Sequence, residues 1–440
     1  MKVLLIHPTH RPLRGPRLRS RIPPLGLMLL AAYTPRDVRV RILDAYVERL
    51  NVEELSRQPG RPDLVGIGVL TPQANFAYHV ADEFRRRGVP VVMGGIHPTA
   101  LPEEALQHAD SVVLGEAEEV WPRLLADFRA GRLQPRYRAE RHLDLAGLRR
   151  PRRELAPAWR YWVKRPVETS RGCPFNCMYC SDSTVFGSRY RFRPVEEVVA
   201  EIRSLGRPGY VFFVDNNIVG NIDRAKELFA ALIPLGIRWT AQASITMSYD
   251  EELLRLARRS GCIGVLIGLE TLKKGLLRKI GKPVDPAKYR DEIARIRSHG
   301  ILVQGEFIFG FDEDDASVFA ETVRFAEEAK LDSARFAILK PYPGTRLFEA
   351  WMKEGRITTT DWSLYHTQHA VYRPAQLTPE ELARGRDWAY NRFGSVTSIW
   401  QRVGLSRRYA PLVWAINFGN RAFKNSLRRG GRRRATPEGA

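Results

Sequence analysis

Cysteine is scarce in this chain, with four residues in 440. So few cysteines do not make a disulfide scaffold, and a chain of this length suggests two or three domains, each with its own hydrophobic core. Three of the four lie close together, at Cys173, Cys177 and Cys180. In a reducing compartment such a group more often binds a metal or does chemistry. Cys262 lies far from the others, and we interpret it as a small core residue.

Long apolar runs are also missing. The run at residues 25–33 is too short to span a membrane. Residues 2–6 form a strand-like segment with no signal-peptide pattern before it. We therefore expect a cytoplasmic protein without a transmembrane segment.

Acidic residues are outnumbered, because 49 Asp and Glu stand against 70 Lys and Arg, for a net charge of +21. Such a balance can favour nucleic acid, anionic lipid or acidic substrates. Most of the arginines are spread over many segments, and we interpret them as a solvated basic surface. No RNA-binding module and no basic strand with interleaved aromatics is present, so no specific nucleic acid is expected. A nucleic-acid-binding or RNA-modifying protein remains an alternative.

The C-terminal end concentrates both apolar residues and arginine. Residues 396–427 mix aromatic and aliphatic side chains with arginine, and a basic run follows at Arg428, Arg429, Arg432, Arg433 and Arg434. This pattern is typical of an interfacial helix beside anionic lipid, and peripheral contact with the inner face of a membrane is one interpretation. The other is that the apolar residues cover the open edge of a partial barrel.

The first 135 residues alternate apolar runs with amphipathic stretches. The predicted helices are 75–87 and 117–130, and the predicted strands are 2–6, 38–43, 64–69, 89–94 and 111–114. Strands rich in Val, Ile and Leu and separated by helices predict a parallel, doubly wound, Rossmann-like sheet. Ligands bind such sheets at the carboxyl ends of the strands. Residues at those ends include Thr9, Thr71, Gly94, Gly95, His97, Gly115 and Glu116.

A polar segment rich in arginine and proline, residues 136–165, is predicted to be a linker. Six β/α steps follow over residues 166–345 and predict an open, partial (β/α)6 barrel, with functional groups at the strand ends. Its predicted strands are 166–170, 210–214, 237–243, 264–268, 302–309 and 333–339. After these α/β domains, residues 346–440 are predicted to be mostly helical with a basic tail, and Thr378 begins one of the helices.

The three clustered cysteines have C-x3-C-x2-C spacing and directly follow a predicted strand. Thiolates on one short loop bind three irons of a cubane cluster and leave the fourth iron open. The alternative is zinc, which wants a fourth ligand from another cysteine pair or a histidine pair. His366 and His369 are the nearest such pair, and they lie far along the chain.

At these residues the chain resembles the radical S-adenosylmethionine superfamily. The resemblance implies a [4Fe-4S] cluster on Cys173, Cys177 and Cys180, which cleaves S-adenosylmethionine to a 5′-deoxyadenosyl radical. It further implies that Tyr179 packs over the adenine and that Asp215 and Glu270 contact the methionine and ribose parts. Asn216 departs from the acidic pair usual in the family. Gly310 and Pro341 match the backbone on the adenine side.

The first domain is similar to the cobalamin-binding domain that precedes one large branch of this superfamily. The likeness lies in residues 23–27, 94–98 and 110–116. It implies a cobalamin site that includes Thr9, Leu25, Thr71, Gly94, Gly95, His97, Gly115 and Glu116. The D-x-H-x-x-G sequence that supplies a histidine to cobalt elsewhere is absent, so we expect no histidine ligand. The alternative is a Rossmann-like module that binds nothing.

The combined resemblance implies a cobalamin-dependent radical methyltransferase of the class B type. Such an enzyme uses one S-adenosylmethionine to remethylate cobalamin and another to form a substrate radical, and it takes electrons from an external donor of the flavodoxin or ferredoxin type. The expected substrate is a small or lipid-like molecule methylated at an unactivated carbon or at phosphorus. Some relatives instead cyclise, oxidise or rearrange their substrates, and this reaction type is the alternative.

Overall fold

The computed structural model describes residues 1–9, 22–57, 59–206, 209–366, 368–404 and 409–432, with side chains as far as Arg421. The end of the basic tail at Arg433 and Arg434 lies outside the described residues. Within the described ranges, no helix combines the length and apolar character needed to cross a bilayer.

The first part of the chain forms a parallel sheet of order β2-β1-β3-β4-β5-β6. Its strands are β1 (Lys2–His7), β2 (Arg39–Asp44), β3 (Leu64–Gly68), β4 (Val91–Gly94), β5 (Ser111–Leu114) and β6 (Arg136–Arg138). Its helices are α1 (Leu25–Tyr33), α2 (Val52–Leu55), α3 (Ala74–Arg86), α4 (Ile96–Ala100), α5 (Pro102–His108) and α6 (Val120–Arg129). Alternate residues of β1 enter two hydrophobic cores, one on each face of the sheet, so the predicted doubly wound arrangement is confirmed.

Strand β6 was not predicted, and it corrects the proposed boundary at residue 135. It pairs with β5 in parallel, with Val112 opposite Arg136. The segment is short and carries two arginines, so it shows no apolar run. Only Tyr137 is buried, and its hydroxyl donates to Asp127 at 3.0 Å. The segment predicted as a linker therefore begins with a strand of the first sheet.

The second part of the chain is an open barrel. Its strands are β7 (Pro166–Val167), β8 (Ser170–Arg171), β9 (Arg191–Phe192), β10 (Tyr210–Phe213), β11 (Arg238–Ala243), β12 (Cys262–Glu270), β13 (Leu302–Phe309) and β14 (Ser333–Ile338). All but two of these strands form a parallel sheet of order β14-β13-β12-β11-β10-β7, which confirms the predicted partial barrel. The remaining two, β8 and β9, form an antiparallel hairpin at its mouth.

Helices cover the outside of the barrel and continue as far as Arg432. They are α7 (Asp182–Phe186), α8 (Val195–Ser204), α9 (Ile222–Leu232), α10 (Glu251–Arg259), α11 (Lys274–Lys279), α12 (Tyr289–Ser298), α13 (Val318–Glu328), α14 (Arg346–Lys353), α15 (Pro379–Phe393), α16 (Val396–Val403) and α17 (Ala410–Arg432). Thr378 caps α15 in a capping box with Glu381, as predicted. One hydrophobic core includes residues of both sheets, so the two parts pack against each other.

The C-terminal helices cover the open edge at β14. An edge strand leaves backbone groups unpaired, and here α15 pairs them. The Phe336 N–H donates to the Tyr390 hydroxyl at 3.1 Å, and Arg386 Nε donates to the Phe336 carbonyl at 3.0 Å. Buried Arg402 donates to the Leu331 carbonyl at 2.5 Å, which fixes α16 to the loop before β14. Ile399, Val403 and Val413 are buried in one cluster against Leu302 of β13, so these C-terminal apolar residues cover part of the open barrel.

Candidate active site

The three clustered cysteines lie on the loop between β8 and α7, at the barrel mouth. Backbone hydrogen bonds hold this loop from two sides, because the Met178 N–H donates to the Ile280 carbonyl and the Met178 carbonyl accepts from the Leu347 N–H, both at 3.0 Å. Cys173, Cys177 and Cys180 are half-buried. The loop thus presents three thiols from a fixed backbone.

Burial raises the pKa of all three thiols, to about 12 for Cys180. The nearby Lys282 ammonium partly opposes this effect on the pKa of Cys173 and Cys177. Metal binding must therefore displace the thiol protons, as it does at thiolate sites generally. Cys262 differs, since it is fully buried in the barrel core as predicted.

The donor set on this loop fits an iron–sulfur cubane. In the described ranges, no three histidine, cysteine or carboxylate side chains converge on one point as the ligands of a single ion do. A cubane does not require such convergence, because each thiolate binds a different iron. These cysteines would hold three irons and leave the fourth open to another ligand.

Glu270 ends β12 beside this loop and forms an ion pair that the sequence analysis missed. Its Oε1 accepts from Lys282 Nζ at 2.7 Å, and the same ammonium donates to the Gly268 carbonyl at 2.7 Å. Burial lowers the pKa of Lys282, whereas the negative charge of Glu270 raises it, and the effect of Glu270 is the larger one. Glu270 has a left-handed backbone, with φ of 63°, which is uncommon outside glycine. Strain of this kind concentrates at functional sites.

Asp215 is engaged by the backbone that leads to the cluster loop. Its carboxylate accepts from the Thr169 N–H at 3.1 Å, the Thr169 hydroxyl at 2.7 Å and the Ser170 hydroxyl at 2.5 Å. Burial raises its pKa to about 6, with these hydrogen bonds opposing the shift. The neighbouring Asn216 faces the barrel mouth instead. The contact of Asp215 with S-adenosylmethionine, predicted from the resemblance, therefore competes with three internal hydrogen bonds.

The other residues predicted to bind S-adenosylmethionine lie around the same mouth. The Tyr179 ring packs edge-on against Phe311, with centroids 6.3 Å apart. Gly310 already uses both backbone groups, since its N–H donates to Asp314 at 2.9 Å and its carbonyl accepts from Tyr372 at 2.6 Å. Pro341 follows β14 and is buried.

The residue before Pro341 was not predicted as part of the site. Lys340 is buried, and burial together with Arg386 lowers its pKa to about 7. Its ammonium donates to the His369 carbonyl. The sequence does not indicate that Lys340 is buried, because its burial depends on the segment around residue 369, which lies further along the chain.

A cavity of about 450 Å³ lies between the carboxyl edge of the first sheet and the barrel mouth. Predicted residues that line it are Leu25, Gly94, Gly95, Gly115 and Glu116, and Val214 and Asn216 line it from the barrel. Most other lining side chains are aliphatic. Gly95 has φ of 100°, and a Cβ there would lie 2.8 Å from the Val69 carbonyl oxygen. The glycine rim thus fits close approach by a broad, largely apolar cofactor.

Three residues predicted to contact cobalamin do not line this cavity: Thr9, Thr71 and His97. His97 is fully buried, with Nε2 2.9 Å from the Tyr78 hydroxyl and Nδ1 3.4 Å from the Thr71 hydroxyl. His97 is close in sequence to the rim residues Gly94 and Gly95, but it belongs to α4, which directs the imidazole ring toward α3. The structure therefore places these three residues outside the lining of the cavity, and their contact with cobalamin stays a prediction.

One residue that the sequence analysis did not propose lines the cavity instead. His7 ends β1, and its Nδ1 lies 3.3 Å from Asp44 Oδ1. The signal was present, because His7 occupies a strand end where ligands bind. The predicted site was placed two residues later, at Thr9.

The fold and site define a two-cofactor enzyme, with an iron–sulfur loop on a partial barrel and a glycine-rimmed cavity at the carboxyl edge of a doubly wound sheet. Family models agree on both parts, as a B12 binding domain matches residues 16–125 and the radical SAM superfamily matches residues 167–326. Bacteriochlorophyllide d C-12(1)-methyltransferase from Chlorobaculum tepidum is 31% identical over 416 residues, which cover 92% of this chain and 89% of that protein. The chain therefore belongs to the cobalamin-dependent radical S-adenosylmethionine enzymes.

Two further comparisons bear on fold and reaction. The radical S-adenosylmethionine methyltransferase TsrM from Kitasatospora setae has the same fold, with a TM-score of 0.68 at 19% identity over 99% of this chain and 100% of that one. An anaerobic magnesium-protoporphyrin IX monomethyl ester cyclase from Cereibacter sphaeroides is 26% identical over 93% of this chain and 73% of that protein. The predicted family, fold class and cofactor set of [4Fe-4S] cluster, S-adenosylmethionine and cobalamin are confirmed.

Proposed function

We propose that this enzyme methylates an unactivated carbon of a bulky, largely apolar small molecule. The observation that carries the proposal is the cavity, because residues of the first sheet and of the barrel line one continuous space. When bound, the cluster with S-adenosylmethionine supplies one-electron cleavage chemistry, and cobalamin supplies a methyl group. Reacting groups held across one space react far faster than free ones.

Different residues of the chain would bind the cluster, S-adenosylmethionine and cobalamin. Cys173, Cys177 and Cys180 would hold the cluster on its fixed loop. The Glu270–Lys282 pair lies beside these cysteines and would offer a buried charge pair to the polar groups of S-adenosylmethionine. The glycine rim at Gly94 and Gly95 would admit the corrin ring, while aliphatic side chains exclude water. Among the described residues, His7 is the histidine that lines the cavity, and its Nδ1 lies 3.3 Å from Asp44 Oδ1.

The apolar lining favours a substrate with a large hydrophobic body. Proteins named as bacteriochlorophyllide and hopanoid methylases are among the relatives, and a tetrapyrrole or polycyclic lipid has this character. The cyclase relative keeps a second reaction open, namely ring formation without net methylation. The two differ in product mass, because only methylation adds a methyl group.

A surface for meeting a lipid-like substrate lies on α17. Leu412 and Phe418 are more than two-fifths exposed, and they share the outer face of this helix with exposed Ala415. The sequence that follows is basic through Arg432. An apolar helix face next to basic residues fits peripheral contact with an anionic bilayer. This contact would place the enzyme at the cytoplasmic face of a membrane.

The experiment is a product search with the reconstituted enzyme. Full-length protein with its cluster and hydroxocobalamin is incubated anaerobically with cell extract, a strong reductant and S-adenosylmethionine carrying a trideuterated methyl group. We expect a hydrophobic product that gains one labelled methyl group and forms together with 5′-deoxyadenosine. A product that forms with 5′-deoxyadenosine but without label would favour the cyclase-type reaction. External one-electron donors of the flavodoxin or ferredoxin type would replace the chemical reductant.

A further inference from the structure

We propose that Arg171 is a positioning residue that fixes the cluster loop to the rim of the cobalamin cavity. The proposal rests on the proposed use of that cavity as the cobalamin site. Arg171 ends β8, two residues before Cys173. Its guanidinium lies at the edge of this cavity and holds the cluster loop and the cavity rim together.

The guanidinium uses all three of its nitrogens on three different carboxylates. Nη1 donates to Glu116 at 2.7 Å, Nη2 donates to Glu118 at 2.6 Å, and Nε donates to Glu168 at 3.0 Å. Glu116 and Glu118 belong to the first sheet, directly after the rim residue Gly115, whereas Glu168 belongs to the barrel. One buried arginine thus bridges the two parts of the enzyme.

A second arginine binds the same acid from the other strand of the hairpin. Arg191 lies opposite Arg171 in the β8–β9 pair, and its Nη1 donates to Glu116 at 3.0 Å and to the Leu143 carbonyl at 2.6 Å. Burial opposes ionisation of Glu116, but hydrogen bonds from Arg171 and Arg191 outweigh it and lower its pKa. Both strands that carry the cluster loop are therefore tied to one carboxylate at the cavity rim.

The carboxylate of Glu116 is fully occupied by these partners. Its Oε2 also accepts from the Leu143 N–H at 3.1 Å and lies 3.3 Å from His142 Nδ1. Glu116 lines the cavity, and its predicted contact with cobalamin would come in addition to these internal bonds. With three carboxylates and two guanidinium groups, this cluster carries a net charge of −1 and is almost entirely shielded from solvent.

The link between Arg171 and the first cysteine is short, because Gly172 alone lies between them. Gly172 has φ of 81°, and a Cβ there would collide with the Arg189 carbonyl. A shift of the rim at Gly115 is thus passed to Cys173 through a short and sterically confined link. Lysine cannot replace the guanidinium, because a single ammonium lacks the fork that serves several carboxylates at once.

The test measures coupling between the two sites without requiring turnover. Reconstituted full-length protein is titrated with hydroxocobalamin, and amide hydrogen exchange is followed in residues 170–192. In the wild type, hydroxocobalamin binding slows exchange in this segment. Wild type and variants are compared at saturating hydroxocobalamin and at equal cluster content, because Arg171 also lines the cavity. In Arg171→Lys the slowing falls by about tenfold or more because charged hydrogen bonds are lost. Glu118→Gln removes one of the three negative charges that the guanidinium binds and gives a smaller loss in the same direction.

A matched control separates positioning from general stability. Arg297→Lys disrupts a comparably buried pair, in which Arg297 Nε donates to Asp332 at 3.2 Å, and this pair lies within the barrel, between α12 and the loop before β14. The control keeps the corrinoid-induced slowing. Equal coupling in Arg171→Lys and the wild type, or equal loss in Arg297→Lys, overturns the proposal. If Arg171→Lys does not fold, Glu118→Gln decides. Wild-type protein that binds no hydroxocobalamin overturns the proposed cobalamin site, and the coupling with it.

Discussion

Asp215 gives the sharpest test of how the barrel mouth is built, because its role as a ligand and its role as a structural anchor predict opposite results. The perturbation is Asp215→Asn. The Oδ1 atom accepts from the Thr169 N–H, the Thr169 hydroxyl and the Ser170 hydroxyl, and Oδ2 accepts from the Thr169 N–H at 3.3 Å. An asparagine keeps an oxygen for the three contacts of Oδ1, removes the negative charge and replaces Oδ2 by an amide NH2 group.

The magnitude follows from the pKa of the carboxyl. Burial raises it from 3.8 to about 6 in the folded chain. About two pKa units correspond to about 3 kcal/mol. A raised folded pKa favours the protonated acid, so stability is greatest below 3.8 and falls as pH rises toward 6. Above that window the ionised group destabilises the fold by a constant amount.

Asp215→Asn is therefore expected to stabilise the protein at pH 8 by up to about 3 kcal/mol relative to wild type, and roughly half of this gain appears between pH 5 and pH 8. Urea unfolding followed by tryptophan fluorescence at both pH values measures the change. Asp215→Ala supplies the contrast, since it leaves three donors without an acceptor and destabilises the fold by a few kcal/mol.

A variant whose stability keeps the wild-type pH dependence would refute this reasoning. So would a large loss of S-adenosylmethionine affinity in Asp215→Asn with unchanged stability. The second result would restore the ligand role that the family resemblance implies.

Three further outcomes are expected. Cys177→Ala abolishes the iron–sulfur absorbance and 5′-deoxyadenosine formation, whereas Cys262→Ala keeps both, and loss of the cluster in Cys262→Ala would refute the ligand assignment. His97→Ala leaves the absorption spectrum of bound cobalamin unchanged but lowers thermal stability, because the Tyr78 hydroxyl and the Glu104 carboxylate both lose the imidazole as a partner; a shift to a base-off spectrum would contradict this. Full-length protein pellets with anionic vesicles at low salt and is released as salt rises, while paired serine substitutions at Leu412 and Phe418 keep it in the supernatant. Pelleting that persists in that variant would contradict the role given to α17.

The cluster loop and the order of strands could be predicted because both depend on local signals. Three cysteines at fixed spacing are themselves the expected ligands of one cluster, and buried parallel strands appear in the sequence as runs of aliphatic residues. The strands from β10 to β14 appear within two residues of their predicted bounds. The contacts of Thr71 and His97 could not be predicted in the same way. A residue after a strand faces either the ligand or the next helix, and the sequence does not say which.

Charged partners were missed for a related reason. Lys282 lies twelve residues beyond Glu270, and Arg171 is separated from Glu116 by fifty-five residues along the chain. Neither pair has a periodicity that a sequence pattern reveals. The strand β6 was missed because its single buried tyrosine lies between two arginines. Long-range pairing and edge strands are where the sequence gives least information.

Three acids at strand ends already accept hydrogen bonds from the protein itself, and this limits the groups that can bind the cofactors. Asp215 is held by two hydroxyls and a backbone N–H, Glu116 by two arginines, and Asp314 by two backbone N–H groups of the turn at Gly310. A buried carboxylate stripped of its partners is costly, so a ligand that recruited one of these acids would first break its internal bonds. The groups left for the cofactors would then be the three thiols, the Glu270–Lys282 pair, the glycine backbone of the rim and the aliphatic walls. Asp215, Glu116 and Asp314 would act one step away, by fixing the loops from which those groups project.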